Sequence, residues 1–280
     1  MVTADMLDDT PPVRPRKPYL LRRKALRHIL PWMVIIGIFV IWEIVVRVFE
    51  IEQFVLPAPS AIFASGWEWR EPILVNAWQT FMTTVIGFLV AVVVGLLGGI
   101  AVGSSTLMYD SFYPALIGFN SIPKVAVVPI LVIWFGVGTI PAIITAFLIA
   151  FFPILVNVAV GIATVEPELQ DVLRALGASR WQVIRKIGLP RSMPYFFASL
   201  KVAITFAFVG TIVAETVAAN KGIGNLMLVA SSRFEVPLAF AGLLVTSVMG
   251  IGMYLVCAAA ERRMTGWAMR GADAQRTGQG

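Results

Sequence analysis

The sequence predicts an all-α, polytopic membrane protein with six transmembrane helices and a short helical hairpin between the fourth and fifth. Three observations carry this. Hydrophobic residues make up 58% of the 280 residues and charged residues only 14%, against roughly 45–50% and about 25% in soluble domains. Apolar runs recur at about 31–49, 80–103, 112–135, 139–162, 194–218 and 238–260, and a hydrocarbon core of ~30 Å needs ~20 helical residues. The segment between the last two pairs of runs carries its own helix start and stop signals. Such a composition excludes a soluble enzyme domain. It also excludes disorder, which needs low hydrophobicity and high charge.

Residues 1–30 read as a flexible basic tail, because Pro11, Pro12, Pro15 and Pro18 discourage a helix there. The first span, 31–49, is too long for a signal-peptide core and carries Glu43 and Arg47, which at i,i+4 can pair on one face. Trp67, Trp69 and Trp78, among Pro57, Pro59 and Pro72, suit a surface segment with aromatic belt residues. The second span holds Gly95, Gly99 and Gly103 at four-residue spacing, a ridge that lets helices approach closely, within one subunit or between two. Pro123, Pro129, Pro141 and Pro153 predict that spans three and four are broken or kinked. Residues 31–262 thus form the membrane domain, and 263–280 a C-terminal tail.

The basic residues set an orientation. Seven Lys and Arg lie in the N-terminal tail, five in the 163–193 loop and four in the C-terminal tail, against three in the opposite loops (Arg70, Lys221, Arg233). The positive-inside rule places both termini and the 163–193 loop in the cytoplasm. The net charge of +6 therefore reflects membrane orientation and contact with lipid, not nucleic acid.

The loop at 164–190 is too well made for a plain connector. Glu166, Pro167 and Glu168 open a helix; Leu169, Val172, Leu173 and Leu176 give it an apolar stripe; Gly177 stops it. Ser179 and Gln182 form an S-x-x-Q capping box for a second helix, with Val183, Ile184 and Ile187 as its stripe, ending at Leu189–Pro190. Two readings stand: an amphipathic hairpin lying on lipid, or a docking element for another protein.

Chemistry-bearing residues are few. One Cys (Cys257) and one His (His28, in the basic tail) leave no metal site and no Ser-His-Asp arrangement. No G-x-x-x-x-G-K-S/T loop exists; Gly136-Val137-Gly138 lacks the Lys. The chain is therefore expected to be a non-catalytic subunit without a cofactor of its own. Lys124 sits mid-span with Asn120 and Ser121 one turn earlier. These either line a path suited to an anion or, in Lys124's case, snorkel to the surface. Asn157 either lines the same path or bonds another helix. Glu215 is a gate residue, a contact for an external protein, or an ion-pair partner of Lys221. Lys201 is expected to snorkel from the fifth span.

The spacing from Asp171 through Gly177 to Ile187, Leu189 and Pro190 resembles the EAA signature of ABC importer permeases, with Asp171-Val172-Leu173 where Glu-Ala-Ala is usual. Residues about 54–262 are similar to the nitrate/sulfonate/taurine branch of that family. The resemblance rests on Leu56-Pro57-Ala58-Pro59-Ser60, Ser121-Ile122-Pro123-Lys124, Trp134-Phe135-Gly136-Val137-Gly138, Leu176-Gly177-Ala178-Ser179 and Ala214-Glu215 with Gly222-Ile223-Gly224. It implies a permease subunit in the bacterial inner membrane, paired as a homodimer and fed by an external solute-binding protein. Two cytoplasmic ATP-binding subunits, which hold the ATP and Mg, would dock on the hairpin through Asp171, Arg174, Ala175, Leu176, Gly177, Ala178, Ser179 and Arg180. For Arg174 and Arg180, positive-inside anchoring is the competing role. The translocation path would use Asn120, Ser121, Lys124, Asn157 and Glu215. The implied substrate is a small anion such as a sulfonate, taurine or nitrate; relatives carrying pyrimidine vitamin precursors or aromatic acids are also similar. An ion-coupled secondary transporter is the rival from another class, and a membrane scaffold without transport is a further one.

Overall fold

The computed structural model describes residues 19–277, and every regular element among them is helical. The stretches 1–18 and 278–280, which belong to the two expected tails, lie outside the described residues. Contacts divide the chain into two units, Met1–Ile51 and Glu52–Gly280.

The first unit holds α1, Tyr19–Val48. This helix begins before the apolar run, so the part of the N-terminal segment from Tyr19 on is helical rather than a loose tail. Leu, Ala, Arg and Lys, which dominate Tyr19–Leu30, are good helix formers, and Pro18 stands just ahead of them. Glu43 and Arg47 pair at 2.6 Å along the helix, as their spacing predicts.

In the second unit, α2 (Pro59–Glu68) starts with a proline in its first turn and packs against the last helix, α11 (Val236–Thr277). Trp67 projects outward, with the Arg70 guanidinium 5.2 Å from its ring. Helix α3 (Arg70–Gly103) begins ten residues before the predicted span. Then come α4 (Thr106–Ser121), a 3-10 turn at Lys124–Val127 and α5 (Val128–Phe135). The axes of α4 and α5 differ by 71° across the break at Ile122–Pro123. Pro123 cannot donate to a helical ladder, so span three breaks as predicted; span four does not break, since Thr139–Ala163 is one continuous helix with Pro153 inside it. Among the described residues, five helices are long and apolar enough to cross a bilayer, and the bent pair makes a sixth if it is one span.

The core is α3, α6 (Thr139–Ala163) and α9 (Leu189–Ala218). The glycine ridge of α3 faces α6 of the same subunit. A Cβ at Gly99 would lie 2.6 Å from the Val158 Cβ, and one at Gly95 2.9 Å from the Ile154 Cβ. Ala146, Ala150, Ala203 and Ala207 complete the seam with no exposed surface. Small residues here let the backbones close to contact distance, which is what packs helices when lipid offers no hydrophobic drive.

Two expectations change at the fifth span. Leu189–Pro190 does not end the hairpin's second helix. Helix α8 (Arg180–Val183), a π-turn at Ile184–Gly188 and α9 follow without a break, and Trp181–Ala218 forms one 38-residue helical stretch. The Leu189 N–H reaches back five residues to the Ile184 carbonyl; the wider turn accommodates the proline that an α-turn would reject. Lys201 does not snorkel. Its ammonium pairs with Glu261 of α11 at 2.6 Å, and both side chains are largely buried. Helix α11 also continues past 260 to Thr277, through most of the expected C-terminal tail.

Candidate functional site

The hairpin occupies one end of the bundle. Helix α7 (Pro167–Ala175) has Pro167 in its first turn and stops where Gly177 takes φ +81°. The Gly177 N–H donates to the Arg174 carbonyl at 2.9 Å and the Ala178 N–H to the Leu173 carbonyl at 3.0 Å. This is the paired bonding of a Schellman stop, which needs a left-handed residue that glycine adopts without strain. One residue on, the Ser179 N–H donates to Gln182 Oε1 at 2.7 Å and the Gln182 N–H to Ser179 Oγ at 3.3 Å, the reciprocal capping box. An ion pair between Glu166 and Arg191 (3.1 Å) ties the two feet of the hairpin together.

The apolar stripe of α7 is not buried. Val172 is 58% and Leu176 77% exposed, and Trp181 on α8 is 61% exposed. Asp171, Ala175, Gly177 and Ser179 are exposed with them, and Ala178 is half-buried. Arg174 lies beside Asp171 (3.5 Å) and lines a cavity of about 300 Å³ behind the hairpin, with Gln170, Tyr109 and Ser105. The Arg180 side chain is outside the described ones. The hairpin therefore presents a rigid turn flanked by unpartnered apolar side chains.

A second cavity, of about 310 Å³, lies between the α4–α5 break, α6 and α9. It brings together Asn120, Lys124 and Asn157, and its walls are Ile149, Phe152, Pro153, Val156 and Phe206. The Lys124 ammonium donates to the Asn120 side-chain oxygen at 2.8 Å and to the Asn120 carbonyl, and lies 5.8 Å from the Phe119 ring. An ammonium has three donors, so one remains for the cavity. Asn157 Nδ2 donates to the Pro153 carbonyl of its own helix (2.8 Å), not to another helix. Ser121 is not among the lining residues; its hydroxyl is exposed and donates to the Ile117 carbonyl (3.0 Å).

Glu215 stands apart from this cavity, near the end of α9 farthest from the hairpin. It is 1% exposed and accepts from the Thr80 hydroxyl at 2.8 Å and the Gly224 N–H at 3.1 Å. It forms no ion pair with Lys221, which is exposed. Thr80 and Asn76 are the residues that sequence reasoning left without a role. Their signal was available: two polar side chains four residues apart on one face of an apolar helix.

Residues 91–266 match the family described as binding-protein-dependent transport system inner membrane component. Among curated proteins, the chain is 30% identical to the riboflavin transport system permease protein RibX of Chloroflexus aurantiacus, over 82% of this chain and 87% of that one. It is 28% identical to the putative aliphatic sulfonates transport permease protein SsuC of Bacillus subtilis (82% and 84%). It is 26% identical to the taurine transport system permease protein TauC of Escherichia coli (81% and 85%). Among solved structures, a chain of the MetNI methionine ABC transporter in an inward-facing conformation superposes with a TM-score of 0.61, at 18% identity over 69% of this chain and 96% of that one.

Proposed function

Since the chain belongs to the family of binding-protein-dependent transport system inner membrane components, a multi-pass permease subunit of an ABC importer, we propose that it moves a small anion inward by ATP-driven alternating access. The observation that carries the mechanism is the hairpin: a rigid Gly177 turn with Val172, Leu176 and Trp181 left exposed. Solvent-exposed apolar side chains on a short, well-capped element suit insertion into a groove on another protein. A cytoplasmic ATP-binding subunit, which holds the ATP and Mg, is that protein in this reading. The bias of Lys and Arg toward the hairpin and both tails supports a cytoplasmic hairpin and cytoplasmic termini. Two copies of the chain pair around the path, and an external solute-binding protein delivers the substrate. Ion-coupled transport has no support in the family match.

The Lys124 cavity supports the anion. A single cation with two amide side chains and apolar walls suits a small organic acid, and relatives named for aliphatic sulfonates and taurine agree. A second reading, import of a vitamin or its precursor by the same mechanism, is favoured by the 30% identity to a riboflavin permease and by Phe152 and Phe206 in the cavity wall.

The test is purification in mild detergent from the native membrane, with mass spectrometry and an ATP hydrolysis assay on the eluate. Wild type is expected to bring down an ATPase, and Gly177→Trp to lose it. Wild type without an ATPase would overturn the proposal.

A further inference from the structure

The seam between α3 and the start of α10 (Ile223–Ser232) is built on side-chain-to-backbone hydrogen bonds, where α3 meets α6 mainly through small residues. Three backbone N–H groups at the start of α10 are held by side chains of other helices. Asn76 Oδ1 accepts from Gly222 at 2.7 Å, Thr80 Oγ1 accepts from Ile223 at 2.9 Å, and Glu215 Oε2 accepts from Gly224 at 3.1 Å. Thr80 in turn donates to Glu215 Oε2, so α3, α9 and α10 meet in one hydrogen-bonded chain. Gly222 (φ +112°) lies against the Glu215 carboxyl, and a Cβ at Gly224 would lie 2.8 Å from the Glu215 Cβ. Both glycines are needed for the acid to enter.

Polar seams and packed seams respond differently to separation. Parting α3 from α6 would open a void between interlocked Gly and Ala residues, with nothing to fill it. Parting α3 from α10 exchanges protein hydrogen bonds for hydrogen bonds to water, a change of small net cost. Glu215 gives the seam its specificity: one carboxyl oxygen, Oε2, accepts both from the Thr80 hydroxyl of α3 and from the Gly224 N–H of α10.

We propose that this seam is a latch at the end of the bundle opposite the hairpin: α10 and the 219–222 loop part from α3 and reclose in each transport cycle, with Glu215 as the residue that positions the closed form. The proposal rests on the alternating-access reading above. A device that must open and shut needs a seam that is specific when closed and inexpensive to hydrate when open. The Asn76–Thr80–Glu215 chain supplies both.

The test uses the ATPase complex purified as above, in lipid nanodiscs, with Cys257→Ala as a background that removes this chain's own thiol. Asn76→Cys with Lys221→Cys places one thiol on each side of the seam. Oxidation is expected to cross-link the pair in the nucleotide-free complex and to slow ATP hydrolysis at least tenfold, with full recovery in reductant. A cross-linked complex that hydrolyses ATP as fast as the reduced one would overturn the latch while leaving the importer reading intact. So would failure to cross-link with oxidant and with a short bis-maleimide, since Asn76 is bonded in the closed seam to Gly222, the chain neighbour of Lys221. A second variant, Ala77→Cys, reads opening directly, since Ala77 is buried on α3 between Asn76 and Thr80 and makes none of the seam's hydrogen bonds. It is expected to react with a membrane-impermeant maleimide at least tenfold faster during ATP turnover than without nucleotide. Thr145→Cys on α6, also buried, is expected to stay protected in both states. Equal labelling of Ala77→Cys with and without ATP would also overturn the latch. Loss of the ATPase from the purified wild type would instead remove the importer reading itself.

Discussion

Lys124 is the residue on which the substrate question turns. Its ammonium is anchored by Asn120, and one donor remains toward a cavity walled by Phe152 and Phe206. A buried or half-buried cation attracts an anion most strongly where the walls are apolar, because the local dielectric is low. Lys124→Gln keeps length and polarity but removes the charge. If the substrate is a small sulfonate such as taurine, the variant is expected to lower its uptake into membrane vesicles at least tenfold, mainly through a higher KM, with ATPase co-purification unchanged; Lys124→Arg is expected to restore much of it. If the substrate is a neutral vitamin, the same variant will leave its uptake nearly unchanged, and the vitamin reading will replace the anion. Lys124 drew attention in the sequence because a Lys between two prolines in an apolar run is conspicuous; Asn120 and Asn157 share its cavity, while Ser121 lies outside it and the apolar walls carried no signal of their own. Glu215 was also conspicuous, yet its surroundings were not. Its partner Thr80 is 135 residues away in sequence, and no local rule connects them.

At the scale of the element, local signals were legible and partners were not. The hairpin's stop and cap followed from Gly177, Ser179 and Gln182 alone, since such bonds span only a few residues. Gly177→Ala is expected to cost about 1 kcal/mol at φ +81°. That corresponds to roughly fivefold weaker ATPase binding, measured by titrating the ATPase onto the permease in nanodiscs. The glycine ridge of α3 was equally visible, but whether it met its own subunit or a second one depended on tertiary packing. Gly99→Val drives a branched side chain into Val158. Overpacking of this kind costs about 1–3 kcal/mol, and a lower thermal unfolding midpoint is expected. Gly252→Ala on α11, which has open space at the Cβ position, is the control and is expected to leave the midpoint in place. The run-on of α8 into α9 escaped the sequence reading for a physical reason. Pro190 signals a helix end to its neighbours, and only the π-turn before it removes the conflict.

For the whole molecule, orientation is the first quantity to fix. A Cys at Ser179 is expected to react with an impermeant maleimide only in inverted membranes, and one at Lys221 only in intact cells; the reverse pattern would invert the topology. The interhelical pair Lys201–Glu261 joins α9 to α11 across 60 residues of sequence, which explains why composition alone assigned Lys201 to the surface. It also means that α9 is braced sideways between its two ends. One stretch of 38 residues, Trp181–Ala218, runs from the hairpin to the neighbourhood of Glu215. At 1.5 Å per residue it is a rod of about 57 Å. Tilting such a rod by ~5° about one end carries the other end through about 5 Å, nearly twice the length of the hydrogen bonds that hold α10 in place. If the hairpin seats in an ATPase groove as proposed, the α8–α9 helix is a lever arm with its handle there: a small rotation, invisible as a change in secondary structure, becomes a displacement large enough to part the far seam.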